Sequence, residues 1–140
     1  MKPFHVETVI DAPSSEVWDV LVDAEAWPTW DSGVLRVEGY PKLGSKLKVV
    51  SEANPQRAFA LRVTEMDPPT SMVWMGGMPL GLFRGVRRFQ VSPEAGSSRF
   101  TMREDYSGPL VPLISRSIPD LQPTFDRFAR GLKARVERRT

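Results

Sequence analysis

Hydrophobic and polar positions change period three times along the chain. Phe4, Val6, Thr8 and Ile10 alternate with His5, Glu7, Val9 and Asp11, which predicts a strand with one less polar face. Ala12-Pro13-Ser14-Ser15-Glu16 then reads as a helix start, with Ser14 as N-cap and Glu16 suited to the positive end of the helix dipole. Val17, Trp18, Leu21 and Val22 follow at helical spacing, and the helix is expected to stop before Pro28. Period two then returns. It predicts strands over Val34 to Glu38, Lys46 to Ser51, Phe59 to Val63, Met72 to Met75, Arg87 to Val91 and Phe100 to Tyr106. The gaps hold turn residues: Pro41 and Gly44, Asn54-Pro55, Asp67-Pro68-Pro69, and Glu94-Ala95-Gly96-Ser97. Strand after strand with short connections implies an antiparallel meander.

The last segment reads differently. Ile114, Ile118, Leu121, Phe125, Phe128, Leu132 and Val136 recur every three or four residues, one apolar stripe of a long helix. Pro119 and Pro123 fall in its first half, so a kink or break is expected there, followed by a regular helix to about Arg138. The resulting fold class is α+β. A curved antiparallel sheet of about seven strands surrounds a long C-terminal helix, with one or two short helices after the first strand. No linker or repeat divides residues 1–140, which predicts a single domain.

A sheet that curls around one helix leaves a gap beneath it. Large soft residues point there: Phe59, Leu61, Met72, Trp74, Phe89, Phe100, Met102 and Tyr106. They either fill the gap as core or line an adaptable apolar cavity. The run from Gly76 to Gly85 is too apolar for an ordinary surface loop and too glycine-rich for a helix or strand. Two readings stand for it: a mobile lid over a cavity mouth, or a static packed loop.

The polar residues narrow the chemistry. If Ala95-Gly96 is a two-residue hairpin turn, Glu94 pairs with Ser97, Val91 lies opposite Phe100 and Arg87 lies opposite Glu104. Opposite charges then meet on the inner face. They are a purely structural ion pair, an anchor for a ligand's oxygen, or an acid–base pair. A register slip of one residue removes all three readings. Glu104, Arg87 and Tyr106 are accordingly the catalytic candidates, should there be a reaction. Trp27, Trp30 and Asp31 pack the base of the helical layer, or Trp30 and Asp31 edge the cavity. His5, the one histidine, points outward. No histidine-based metal site or Ser-His-Asp triad can form, and no phosphate-loop or dinucleotide fingerprint is present. No metal and no cofactor are expected.

Composition adds bounds. There is no cysteine among 140 residues, so no disulfide framework, thiolate nucleophile or cysteine-based zinc site is possible, which fits a reducing cytoplasm. Met1-Lys2-Pro3-Phe4-His5 has no apolar h-region, so no signal peptide is expected. A net charge of +2 is too modest to predict nucleic-acid binding. Much of the positive excess lies between Arg127 and Arg139, where the readings are a solvated helix face or a surface for an anionic partner, whether membrane or nucleic acid.

Several short motifs, taken in order, resemble a known family. They are Ile10-Asp11-Ala12-Pro13, Val17-Trp18, Trp27-Pro28-Thr29-Trp30-Asp31, Arg87-Arg88-Phe89, Phe100 to Gly108 with its acidic pair, aromatic and glycine, and Phe125-x-x-Phe128-x-x-Gly131-Leu132-Lys133. Together they resemble the SRPBCC superfamily, and more narrowly its polyketide cyclase/dehydrase and lipid-transport branch, relatives of START domains. The likeness covers essentially the whole chain. It implies the helix-grip fold and a deep pocket between sheet and C-terminal helix, but no single reaction. Three functions follow as expectations. The first is binding or carriage of a small hydrophobic, lipid- or polyketide-like molecule, with Phe59, Leu61, Trp74, Arg87, Phe89, Met102, Glu104, Tyr106 and Phe125 as lining. The second is a cyclase or dehydratase acting on a polyketide-like substrate in the same cavity. The third is a peripheral membrane binder that uses the basic C-terminal helix. The strand faces alone set no oligomeric state.

Overall fold

A computed structural model describes residues 2–139. Its sheet is a curled, fully antiparallel half-barrel in the order β1-β7-β6-β5-β4-β3-β2. The strands are β1 (Phe4–Ile10), β2 (Val34–Glu38), β3 (Lys46–Ser51), β4 (Phe59–Asp67), β5 (Ser71–Gly77), β6 (Arg84–Glu94) and β7 (Ser97–Ser107). Consecutive strands pair from β2 to β7, as short connections require, and the first strand closes on the last. The helices are α1 (Ser14–Val22), the one-turn α2 (Val111–Ile114) and α3 (Gln122–Arg139).

The strands run longer than their sequence signals. Gly76 and Gly77 end β5, and Arg84 and Gly85 begin β6, so much of the glycine-rich run is sheet and not loop. The reason is cross-strand packing. Gly76 pairs with Gly85, the Leu61 side chain lies over the first, and the Tyr106 ring lies against the second. Only the turn between them, with a 3-10 segment at Pro79–Gly81, is irregular.

The start of α1 differs from expectation; its end at Val22 falls before Pro28 as expected, although the helical layer runs on. Ser14 does not cap α1. Its hydroxyl meets that of Ser98 at 3.1 Å, and Ser98 donates in turn to the Ala12 carbonyl at 2.7 Å, so the serine ties helix to sheet. Pro28 lies inside a 3-10 helix, Ala24–Thr29, that extends the layer beyond α1. At the C-terminal end the expected break is present. A 3-10 turn at Ser115–Ser117 follows α2, Ile118 is extended, and α3 starts at Gln122. Pro123 sits in the first turn of α3, where no backbone N–H is needed.

α3 closes one sheet edge. Gln122 donates to the His5 carbonyl at 2.8 Å and accepts the His5 N–H at 3.4 Å. Lys133 donates to the Val9 carbonyl at 2.7 Å, and the Asp11 N–H donates to Glu137 at 2.9 Å. Edge groups of β1 that would otherwise invite another strand are thus engaged. Gly131 lets the chain after the 3-10 helix approach α3. A Cβ there would overlap the backbone carbonyl of Asp31, whose carbon would lie only 2.6 Å away. Arg127 secures the same approach by donating to Asp31 at 2.6 Å and to Glu52 after β3.

The core is an aromatic cluster gathered from both layers. Trp27 stacks on Trp74 at 5.2 Å and meets the edge of Phe128 at 4.9 Å. Phe89 lies 5.0 Å from Trp74, and Phe100 lies 6.1 Å from Phe128. The Trp27 indole N–H donates to the Leu21 carbonyl at 3.1 Å, so its polar atom is satisfied.

Candidate functional site

The concave face divides into two ends. Beneath the middle of α3 it is filled by packed side chains. Trp74, Phe89, Met102 and Phe125, four of the residues expected to line a cavity, are at most 1% exposed and belong to the packed core. Toward the N-terminus of α3 the inner face opens. Phe59 is 38% exposed, and Leu61, Gly76, Gly85, Arg87, Glu104 and Tyr106 are all partly reached by solvent although they point inward. The helix layer is interrupted at this end, between α2 and α3.

The register that builds the polar group is set by the β6–β7 turn. Ala95 and Gly96 both have positive φ, at 49° and 87°, as a two-residue hairpin of this hand requires. Glu94 pairs with Ser97, Val91 with Phe100 and Arg87 with Glu104. Arg87 Nε donates to Glu104 Oε1 at 3.1 Å, and the Tyr106 hydroxyl donates to Glu104 Oε2. Both oxygens of the carboxylate are therefore engaged. The ion-pair side chains are 26% and 14% exposed, so the pair is shielded but not sealed.

Apolar groups surround the network. The Arg87 guanidinium carbon lies 4.7 Å from the Phe125 ring centre, a cation–π contact. Phe4 packs edge-on to Tyr106 at 6.1 Å and lies 5.8 Å from Phe125. Phe83 stacks on Tyr106 at 5.8 Å. Burial pushes the Tyr106 phenol far above its ordinary pKa of 10.0, and the charge and hydrogen bond of Glu104 push it the same way. Tyr106 therefore stays protonated and donating at any ordinary pH. Among the described residues Arg87 spends only Nε on the protein, and its two terminal nitrogens have no acceptor there.

Phe4, Gly85 and Phe83 complete this wall and had not been nominated from sequence. Phe4 shares a face with Val6 in the alternating pattern of β1, but its position beside Glu104 depends on the β1–β7 pairing. Trp30 packs on Phe128 at 5.3 Å, and Asp31 is held by Arg127. His5 is exposed. Among the described residues no cluster of histidine and carboxylates is placed to hold a metal ion. No described helix is long and apolar enough to cross a membrane.

Comparison with known proteins agrees with this architecture. A family profile described as polyketide cyclase / dehydrase and lipid transport matches residues 1–137. The chain belongs to that family. A START superfamily protein from Mycobacterium smegmatis has the same fold, with a TM-score of 0.72 at 19% identity over 99% of each chain. The di-domain ARO/CYC BexL superposes with a TM-score of 0.70 at 18% identity, over 98% of this chain and 47% of that one. At these identities the likeness is one of fold. A protein of Penicillium oxalicum called oxopyrrolidines biosynthesis cluster protein O is 32% identical over 44% of this chain. The match spans only 40% of that relative's length. The helix-grip fold is thus shared with a START superfamily protein and an ARO/CYC protein, as the sequence motifs implied.

Proposed function

We propose that this protein binds, without transforming, a small and mainly apolar molecule that presents one hydrogen-bond-accepting oxygen. The seat is the open end of the concave face, lined by Phe59, Leu61, Arg87, Glu104 and Tyr106 together with Phe4 and Gly85. What carries the reading is the state of Arg87. Its charge is neutralised by Glu104 and its face lies on Phe125, while its terminal N–H groups lack a partner among the described residues. A guanidinium held this way offers a fixed fork to a carbonyl or carboxylate oxygen. An ion pair kept only for stability would be replaceable by apolar residues at little cost. The rings of Phe4 and Phe83 supply the apolar surface for the rest of the ligand.

A cyclase or dehydratase would use the same residues, and the family description keeps that alternative in view. It needs a free base, however, and Glu104 already accepts from both Arg87 and Tyr106. Binding is therefore favoured over catalysis.

Native mass spectrometry of the protein from its producing cells, followed by organic extraction, tests the reading by showing what co-purifies. Two variants then locate the seat. Gly85→Leu adds a side chain against the Tyr106 ring, whose nearest atom lies 3.4 Å from the added Cβ, and should block binding. Arg87→Lys should weaken an oxygen-bearing ligand about tenfold or more, the worth of one hydrogen bond to a charged group, while leaving a pure hydrocarbon probe unaffected. Binding that survives Gly85→Leu at full strength places the ligand elsewhere and ends the proposal.

A further inference from the structure

The opposite face of the sheet carries a second recess. The ends of β4, β5 and β6, with the turn joining the last two, enclose a groove of about 350 Å³. Ala60, Leu61, Met75, Gly76 and Gly77 line it, together with Met78, Leu80, Gly81 and Phe83 of the turn. Its cations are Lys46, Arg62 and Arg84. Lys46 pairs directly with Arg62 across β3 and β4, and Arg62 pairs with Met75 across β4 and β5. Alternation turns the side chains of Lys46, Arg62 and Met75 to the face away from Leu47, Leu61 and Trp74, while Leu61, Gly76 and Phe83 border both this groove and the cleft.

Like charges directly opposite on neighbouring strands repel. Here nothing relieves them. Among the described residues none of Lys46, Arg62 and Arg84 meets a carboxylate, and Arg62 donates there only to the Gly44 carbonyl at 3.3 Å. Most other sheet arginines, including Arg36, Arg87, Arg88, Arg99 and Arg103, are each paired with an acid.

The turn beside this groove exposes apolar tips. Leu80 is 96% exposed and has a left-handed backbone, with φ 62°, which a leucine adopts only at a cost. Met78 and Leu82 are also exposed. The Leu110 N–H donates to the Leu82 carbonyl at 3.0 Å, which brings α2 beside the turn, and Leu113 of α2 is 73% exposed.

We propose that this end of the molecule docks on an anionic phospholipid bilayer. Lys46, Arg62 and Arg84 take lipid phosphates in the groove, and Leu80 and Leu113 enter the acyl layer. Single leucines on protruding tips, backed by unpaired cations, suit a fluid apolar layer beneath a negative surface. A folded partner would need a continuous apolar patch to bury, and this end has separate tips. On α3, Arg127 and Lys133 are held by Asp31, Glu52 and Glu137, while Arg130 and Arg138 meet no acid among the described residues and serve as the control. The inference is independent of what the cleft binds, and its failure would leave the cleft reading intact.

Co-sedimentation of the full chain with vesicles decides it. One set is phosphatidylcholine alone; in the other about a third is phosphatidylglycerol. Binding should require the anionic lipid and weaken as salt is raised. The double change Arg62→Gln with Arg84→Gln should weaken it about 25-fold, at about fivefold per cation. Leu80→Gly should weaken it about tenfold. Glycine accepts the left-handed backbone, so this loss cannot be ascribed to unfolding. Failure to sediment at low salt, or equal binding to neutral vesicles, would overturn the proposal. So would binding untouched by these changes but removed by Arg130→Gln with Arg138→Gln on α3.

Discussion

Replacing Tyr106 with phenylalanine should change both the level of stability and its response to alkali. At neutral pH the variant loses one hydrogen bond to a carboxylate, worth about 1.5–3 kcal/mol. Glu104 keeps its Arg87 partner at 3.1 Å, and the aromatic contacts with Phe4 and Phe83 remain, so the fold should survive. The alkaline response follows from the raised pKa of the phenol, whose first cause is burial and whose second is the Glu104 charge. Because the folded value lies above the unfolded one, the native state holds a proton that the unfolded state gives up. The stabilisation is complete below pH 10 and declines as pH rises above it. The ceiling is about 1.4 kcal/mol per pH unit, and with the ring in partial contact with solvent about half of that is expected. Urea denaturation of wild type and Tyr106→Phe from pH 8 to pH 11.5 measures the difference directly. The wild-type advantage should be near 2 kcal/mol at pH 8 and should shrink by about 1 kcal/mol by pH 11.5. Difference absorbance between the two proteins should show no tyrosinate from Tyr106 until the protein unfolds. An advantage that stays constant across that range, or a Tyr106 signal rising in the native state near pH 10, would refute the protected-proton argument.

Three further outcomes can be checked by equilibrium denaturation or thermal melting. Gly131→Ala should destabilise by at least about 1–3 kcal/mol, since the added methyl overlaps the Asp31 carbonyl and backbone must move on one side or the other. Trp27→Ala should cost about 3–5 kcal/mol, because the indole fills the space between Trp74 and Phe128 and leaves a void when removed. Leu80→Gly should raise stability by about 1 kcal/mol, because it relieves a left-handed leucine that makes little contact. A fall in stability at that position would mean the side chain packs against the fold.

Much of the fold was legible because its signals are local. Strands β2 and β3 begin and end where alternation predicts, and the break before α3 is dictated by Pro119. The Arg87–Glu104 pairing was legible for the same reason: a two-residue turn fixes register, and the pleat carries it ten residues outward without slippage. Three things were not legible. Phe4 lies beside Glu104 only because the first strand pairs with the last, a contact spanning most of the chain. The glycines at 76 and 85 read as loop because intrinsic propensity opposes strand there; Leu61 and Tyr106 cover them and reverse the balance. The extent of filling was hidden as well. Periodicity assigns Trp74 and Phe89 to the inner face, but says nothing of how far Trp27 reaches from a 3-10 helix to meet them.

The same features that open one end of the concave face also explain why its polar group sits where it does. Pro119 interrupts the helical layer, so no continuous helix covers the sheet beyond the start of α3. Opposite that gap, the sheet presents glycine at 76 and 85, the smallest residue on two paired strands. Volume is therefore withdrawn from both layers at one place, while Trp27, Trp74 and Phe128 fill the other end. An ion pair in the filled end would bear a desolvation penalty of several kcal/mol per charge with nothing to relieve it. At the fully exposed rim it would be worth about 1 kcal/mol or less and would hold nothing in place. The boundary between the two ends is where Arg87 and Glu104 are shielded enough to fix each other and open enough for Arg87 to reach an incoming oxygen.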